Sequence, residues 1–493
     1  MLAEVDKGNE TESSAAIVNS HETAIRSFCG NCHAVPMPES FPKSMWYEEV
    51  RRGFNFYYES GRSDLKPPSQ NDVVAYFRER APEHLTIPAP EVAAQSRIQF
   101  HPSNLSFAMS DPVAVSFVDW EDQSDTDGKL WLSDMRSGSV LRFSGLRQDS
   151  ASATGLLHID RKVVPNPAAV RRTDLDANGV VDLVVSDLGS FLPEDHQQGQ
   201  LVWIPDGTAE AARTPVVLWN NIGRVADVQP IDWNSDGALD LVVAEFGWHR
   251  TGSVTLLEQV REPDETIRFQ PETLDARPGA IHVVPNDVNG DGRQDVVALI
   301  SQEHEQIVAY LNMPTGVEKK VLYSAPDPSW GSSGIQIVDL DRDGDLDLIY
   351  TNGDSFDSKL MKPYHGVWWL ENVGDLEFTE HHVAAMPGVH RALAADFDSD
   401  GDLDLAAAAM LPQTTIEGEP VEQLHAVVWL EQTRERQFVR HVVERGRPTY
   451  AAMTVADFNR DGRPDIAVGL FEESSSDSEV VARIFWNQSR EGK

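Results

Sequence analysis

DLDRDGDLDLIY, Asp339 to Tyr350, places acidic side chains at positions 1, 3, 5 and 9 and a glycine at 6, then runs into apolar residues. The same spacing returns as DLDANGVVDLVV from Asp174, DWNSDGALDLVV from Asp232 and DVNGDGRQDVVA from Asp287. It returns again as DFDSDGDLDLAA from Asp396 and DFNRDGRPDIAV from Asp457. Successive copies begin 52 to 61 residues apart. A fixed period of this size marks one supersecondary unit, stacked or set in a ring. A seventh, altered copy, VDWEDQSDTDGKLWLS, surrounds Asp119; it carries an insertion and has Trp131 where the last aspartate stands elsewhere. It is not expected to hold a metal.

The spacing has a chemical reading. Hard cations such as Ca²⁺ take several oxygen ligands at about 2.3–2.6 Å. Oxygens at alternate positions converge if the chain turns sharply, and glycine at 6 permits that turn. A carboxylate at 9 would close the site as the next strand begins. An EF-hand loop shares the first spacings, but here position 12 is apolar and the flanks read as strand: LVV, VVA, LIY, IAV. Asp, Asn and Gly also make plain hairpin turns; six filled copies favour the metal reading.

Each repeat offers four strand candidates, for example GIQIVDLD, LDLIYTNG, GVWWLENV and EFTEHHV. Four-stranded units in a ring are propeller blades. The last repeat has three, and an orphan strand, RIQFHPSNL (Arg97 to Leu105), resembles the fourth strand IRFQPETL of another repeat. The expectation is a mainly β, seven-bladed β-propeller over 97–493, its ring closed by the strand at 97–105, preceded by a small all-α domain.

The loops, with VAEFG at Val243 to Gly247, resemble the FG-GAP/VCBS repeats of integrin α-chain-type propellers over about four-fifths of the chain. That resemblance implies about six Ca²⁺. The ligands would be Asp174, Asp176, Asn178 and Asp182; Asp232, Asn234, Asp236 and Asp240; and Asp287, Asn289, Asp291 and Asp295. In the later loops they would be Asp339, Asp341, Asp343 and Asp347; Asp396, Asp398, Asp400 and Asp404; and Asp457, Asn459, Asp461 and Asp465.

These loops account for part of the charge: 79 acidic against 41 basic residues give −38 over 493 residues. Such a balance argues against nucleic acid and anionic membrane as partners. No apolar run is long enough for a transmembrane helix. Residues 1–20 read as an acidic flexible tail without the apolar centre of a signal peptide.

Both cysteines of the chain lie in FCGNCHAVP, Phe28 to Pro36. C-x-x-C-H is the attachment signature of haem c. Two thiols one helical turn apart reach the two vinyl groups of one porphyrin, and the adjacent histidine is held under the iron. With IVNSHETAIRSF before it, a middle helix from MWYEEVRRGFNFYY after Ser44 and a closing helix in QNDVVAYFRERAP after Ser69, the pattern resembles class I cytochromes c over about 21–84. The resemblance implies one covalent haem on Cys29 and Cys32 with His33 as proximal ligand. The family's distal methionine before a proline is replaced by Lys66 in LKPPSQ. Met45, at the head of the middle helix, is the first distal candidate; Lys66, Tyr57, Tyr58 or an open position are the others. A thioredoxin-type dithiol would need a βαβ frame, and a zinc site a fourth ligand.

Haem c is attached outside the cytoplasm, so a periplasmic or otherwise extracytoplasmic location with a removed leader is expected. The segment 85–96 reads as a proline-containing linker. The functional expectation is electron transfer to a redox partner protein or membrane complex, the propeller serving as docking module. A propeller oxidoreductase feeding the haem is the alternative, with His282, His390, Arg391, Tyr450 and the connection Asn352 to Gly366 (Asp354, Tyr364, His365) as candidate funnel groups. An adhesion or carbohydrate-binding propeller with an accessory haem is a third reading. No nucleophile elbow, phosphate loop or dinucleotide fingerprint occurs, and the twelve tryptophans sit mostly in strands, where core packing suffices.

Overall fold

The computed structural model describes residues 21–88, 96–107, 109, 112–122, 128–148, 164–207, 214–263, 266–356, 358–410, 424–434, 436–446, 449–472 and 479–489. The expected tail at 1–20 and most of the expected linker lie outside the described residues. The chain divides into two compact units.

The first unit takes in the chain up to Ile87 with the short segments Glu303–Glu305 and Ala325–Trp330. It is helical over 21–29, Trp46–Glu59 and Gln70–Arg80, with a 3₁₀ turn at Pro38–Ser40. The expected lead-in, middle and closing helices are thus present. Trp46, Val50 and Phe54 recur every fourth residue and form one buried stripe. The stripe meets the closing helix through Trp46, stacked 4.1 Å from Phe77. Within this unit buried Asp327 accepts hydrogen bonds from the Met37 amide (2.6 Å) and the Ser40 hydroxyl (2.7 Å).

The second unit is a ring of seven antiparallel sheets. We number the blades by their first strands: 1 (Val115–Glu121), 2 (Pro167–Thr173), 3 (Val225–Ile231), 4 (Ala280–Asn286), 5 (Gly334–Val338), 6 (Val389–Ala395) and 7 (Tyr450–Ala456). First strands of successive blades touch all the way round, and blade 7 meets blade 1, so they form the inner wall. Second strands such as Asp182–Asp187 and Asp240–Glu245 are buried along their whole length. They are covered on both faces by neighbouring blades, which is why they read as unbroken apolar runs rather than alternating ones. Outer strands such as Val216–Ile222 are largely exposed.

Blade 7 is completed by Ile98–Ser106 pairing with Val480–Ser489, as the orphan-strand reading expects. Leu105 is fully buried in that seam, and Trp486 donates its indole N–H to the Ser103 hydroxyl (3.0 Å). Blade 1 shows three strands among the described residues. Trp369 and Trp429 are buried core residues, in keeping with a packing role.

Candidate metal loops and the cysteine motif

Each of the six loops joins the first and second strands of its blade, and its ninth residue opens the second strand. Two residues per loop are left-handed. Gly at 6 is one, with φ between 85° and 101°; position 4 is the other, where Ala177, Ser235, Arg342, Ser399 and Arg460 accept φ near 60°. The sequence reading named only the glycine.

Backbone amides then aim the side chains inward. Asp174 accepts from the amides of Asn178 (2.9 Å) and Gly179 (2.8 Å), and Asp457 likewise from Asp461 (3.0 Å) and Gly462 (2.7 Å). The carboxylates of Asp174, Asp176 and Asp182, of Asp339, Asp341 and Asp343, and of Asp396, Asp398 and Asp400 each bring one oxygen within 4.8 Å of the others.

The ninth-position aspartates do more than close a loop. Asp182, Asp240, Asp295, Asp347, Asp404 and Asp465 are all buried. One oxygen of each takes the amide of loop position 2, as Asp404 does from Phe397 (3.2 Å). The other takes an amide near the third strand, as Asp404 does from Gln432 (2.8 Å). Burial pushes their carboxyls up: Asp347 to about 6, Asp404 and Asp465 to about 7. Each oxygen keeps a second lone pair for a cation.

The loops differ in how well the donor set fits Ca²⁺. In blades 5 and 6, Asp339 Oδ1, Asp396 Oδ1, Asp398 Oδ2 and Asp402 Oδ1 are buried oxygens without a hydrogen-bond partner. Such atoms are costly unless a cation or donor meets them. In blades 4 and 7 an arginine at position 7 already occupies position 5: Arg293 on Asp291, and Arg463 on Asp461 (2.6 Å). In blade 2 the Asn178 amide donates to Asp206 (3.1 Å), and in blade 3 Asn234 donates to Glu258 (3.3 Å). In the altered copy Trp131 donates to Glu121 (2.7 Å), and Asp119 is held by Arg172 (2.8 Å).

In the helical unit, Cys29 ends the helix at 21–29; Cys32 and His33 follow in the turn beyond it. Both thiols are free, Cys29 half-buried and Cys32 exposed. Burial pushes the Cys29 thiol up to about 11. Arg62 donates to Cys32 Sγ (2.9 Å) and Asn31 (2.6 Å), and holds Asp64 (2.6 Å). His33 Nδ1 lies 2.7 Å from the Ala34 carbonyl. A carbonyl only accepts, so the proton sits on Nδ1 and the Nε2 lone pair is left for a metal. Phe28 packs on Phe54 (5.3 Å) and Tyr57 (5.1 Å), giving the motif aromatic neighbours. The donor set fits haem c.

Of the distal candidates, Met45 is half-buried and precedes the middle helix as its N-cap, and Lys66 is exposed. The Tyr57 hydroxyl donates to the Leu65 carbonyl (3.0 Å), and Tyr58 is 62% exposed.

Among the expected funnel groups, His282 and Arg391 are brought together (3.4 Å), while the Tyr450 hydroxyl donates to Glu444 (2.5 Å). His390 stands 3.9 Å from Asp354, and His365 is fully buried. Asp227 and Arg171, which the sequence reading did not select, join the His282 group. Asp227 lies five residues before its loop, as His282 and Arg391 do, so the offset was a usable signal.

No helix of the described residues is long and apolar enough to cross a membrane. A search of curated proteins finds no match to the chain. Among solved structures, the crystal structure of BBS1N in complex with ARL6DN is similar at 9% identity, with TM-score 0.48 over 80% of this chain and 97% of that one. The crystal structure of rhamnogalacturonan lyase YesW is similar at 14% identity, with TM-score 0.40 over 79% and 75%. Residues 287–350 match the family model described as FG-GAP-like repeat. Blades 4 and 5 of this seven-bladed propeller thus carry an FG-GAP-like repeat between the loop of one and the second strand of the other.

Proposed function

We propose that the chain is an extracytoplasmic monohaem c-type cytochrome that transfers electrons, with a calcium-stabilised propeller that docks its redox partner. The observation that carries this reading is the motif geometry: two free thiols at Cys29 and Cys32, and a His33 ring whose carbonyl contact leaves Nε2 for iron. Haem, when bound there, supplies a one-electron redox centre. Cys29 and Cys32 would anchor it, His33 would ligate it, and Phe28 with Tyr57 would shield one side from water. Six loops would hold Ca²⁺ and draw carboxylates together that otherwise repel.

Redox titration of the purified holoprotein tests the reading. A single reversible one-electron transition is expected, with low-spin spectra lost in His33→Ala. In the oxidised protein a weak sulfur-to-iron band in the near-infrared, abolished in Met45→Ala, would assign Met45 as distal ligand. Rapid binding of carbon monoxide or cyanide by the native protein would instead favour the oxidoreductase alternative. A preparation with no redox-active chromophore would overturn both.

A further inference from the structure

The inner strands of blades 2, 3, 4 and 6 carry a line of charge that neither the metal loops nor the cysteine motif uses. Arg171 pairs with Asp227 (2.7 Å) and donates to the Val228 carbonyl (2.9 Å). Asp227 also accepts the Val228 amide (2.8 Å) and faces His282 Nδ1 (3.8 Å). His282 Nε2 lies 3.4 Å from Arg391 Nη1. An arginine only donates, so Nε2 is the acceptor there and Nδ1 carries its proton toward Asp227.

The pairing of first and second strands shifts register between Ala280 and His282 in blade 4 and between Val389 and Arg391 in blade 6, as it also does in blades 1, 2 and 7. Bulges of this kind re-aim the side chains beside them. Gly334 occupies the corresponding place in blade 5, five residues before Asp339. A Cβ there would meet the His390 carbonyl oxygen at 2.9 Å, the Thr351 hydroxyl at 3.0 Å and Arg391 Cδ at 3.3 Å, so the glycine lets the blade 6 strand and its arginine lie close.

The charges do not balance. Asp227 is spent on Arg171, from which burial does not free it: Arg171 and His282 overcome the cost and hold its carboxyl down to about 2. Among the described residues no carboxylate lies within ion-pair distance of Arg391, and its side chain meets a neutral imidazole nitrogen. A guanidinium stays charged; Arg391 is half-buried, and the carboxylate that acts on it across His282, Asp227, is shared with Arg171. This happens in a chain whose net charge is −38, where carboxylates are abundant everywhere else.

We infer that Arg391, with His282 beside it, receives a small oxyanion at the inner wall of the propeller: a carboxylate group or a tetrahedral oxyanion of similar size. The planar guanidinium offers paired donors matched to two oxygens of such a group. His282 sets the orientation of the fork, and the Asp227–Arg171 pair fixes His282. The inference does not rest on the haem reading.

Calorimetric titration of the full calcium-loaded protein, in chloride buffer, with sodium acetate and separately with sodium sulfate tests it. Saturable binding at one site per chain is expected. Acetate alone would assign a carboxylate, sulfate alone a tetrahedral oxyanion. Arg391→Gln should weaken binding at least about tenfold. Arg391→Lys, which keeps the charge and loses the fork, should fall between the two and serves also if the Gln variant fails to fold. Melting in chloride checks the fold of each. Absence of saturable binding of either anion to the wild type would overturn the inference, as would unchanged affinity in a folded Arg391 variant.

Discussion

Asp398, at position 3 of the blade 6 loop, and Asp291, at position 5 of the blade 4 loop, have different neighbours, and position 7 is Asp402 in one loop and Arg293 in the other. Asp398 has a buried oxygen that meets no donor, whereas Asp291 already holds Arg293 from position 7. We therefore expect Ca²⁺ to bind first in the loops of blades 5 and 6. Metal analysis after dialysis against a weak chelator should show about one Ca²⁺ fewer in Asp398→Asn or Asp341→Asn and little change in Asp291→Asn; equal losses in all three would contradict the ranking. A site at a hundredfold excess of Ca²⁺ over its Kd adds about 2.7 kcal/mol to the folded state. The ligand spacing was legible in the sequence because it is local. The clamp made by the ninth aspartate was not, because its second partner is an amide 17 to 28 residues further on, such as Asn312 for Asp295 and Gln432 for Asp404.

Between elements, blades are joined by buried polar contacts as well as by apolar faces. Asp275 ends the outer strand of blade 3 (Ile267–Asp275) and receives Arg277 (2.8 Å), Lys319 (2.6 Å) and the Tyr310 hydroxyl (2.8 Å), the last two from blade 4. Burial works against its charge, but these three donors overcome it and hold the carboxyl well below the usual range. The folded pKa is therefore lower than the unfolded one, near 3.9. The stability gained is full above that value and is lost as pH falls below it toward the folded pKa. Asp275→Asn should cost about 3 kcal/mol at pH 7, and its difference from the wild type in denaturant titrations should shrink below pH ~4. A difference that stays constant to pH 3 would contradict the role given to Asp275. The strand partners themselves were readable: Arg97 to Leu105 looked like an outer strand and pairs as one. The cross-blade clamp was not, since nothing in the spacing of Asp275, Tyr310 and Lys319 marks them as neighbours.

At the scale of the molecule, a period of 52 to 61 residues and one orphan strand were enough to specify seven blades and a closed ring. Of the inner-wall charges, His282 and Arg391 were legible as funnel candidates, whereas Asp227 escaped because the position varies from blade to blade: Asp227, His282, Gly334 and Arg391 hold the same offset with four different chemistries. The helical unit followed from its amphipathic stretches, and its proposed chemistry stands on nine residues, Phe28 to Pro36. Intact-mass analysis tests that chemistry most directly, on protein produced in a host that exports it and attaches haem, after acid–acetone extraction and exposure to a thiol-alkylating reagent. The account predicts a chain heavier by one haem with neither Cys29 nor Cys32 alkylated, and haem lost in Cys29→Ala/Cys32→Ala. A chain at its unmodified polypeptide mass plus two alkyl groups, with all colour in the organic phase, would contradict it.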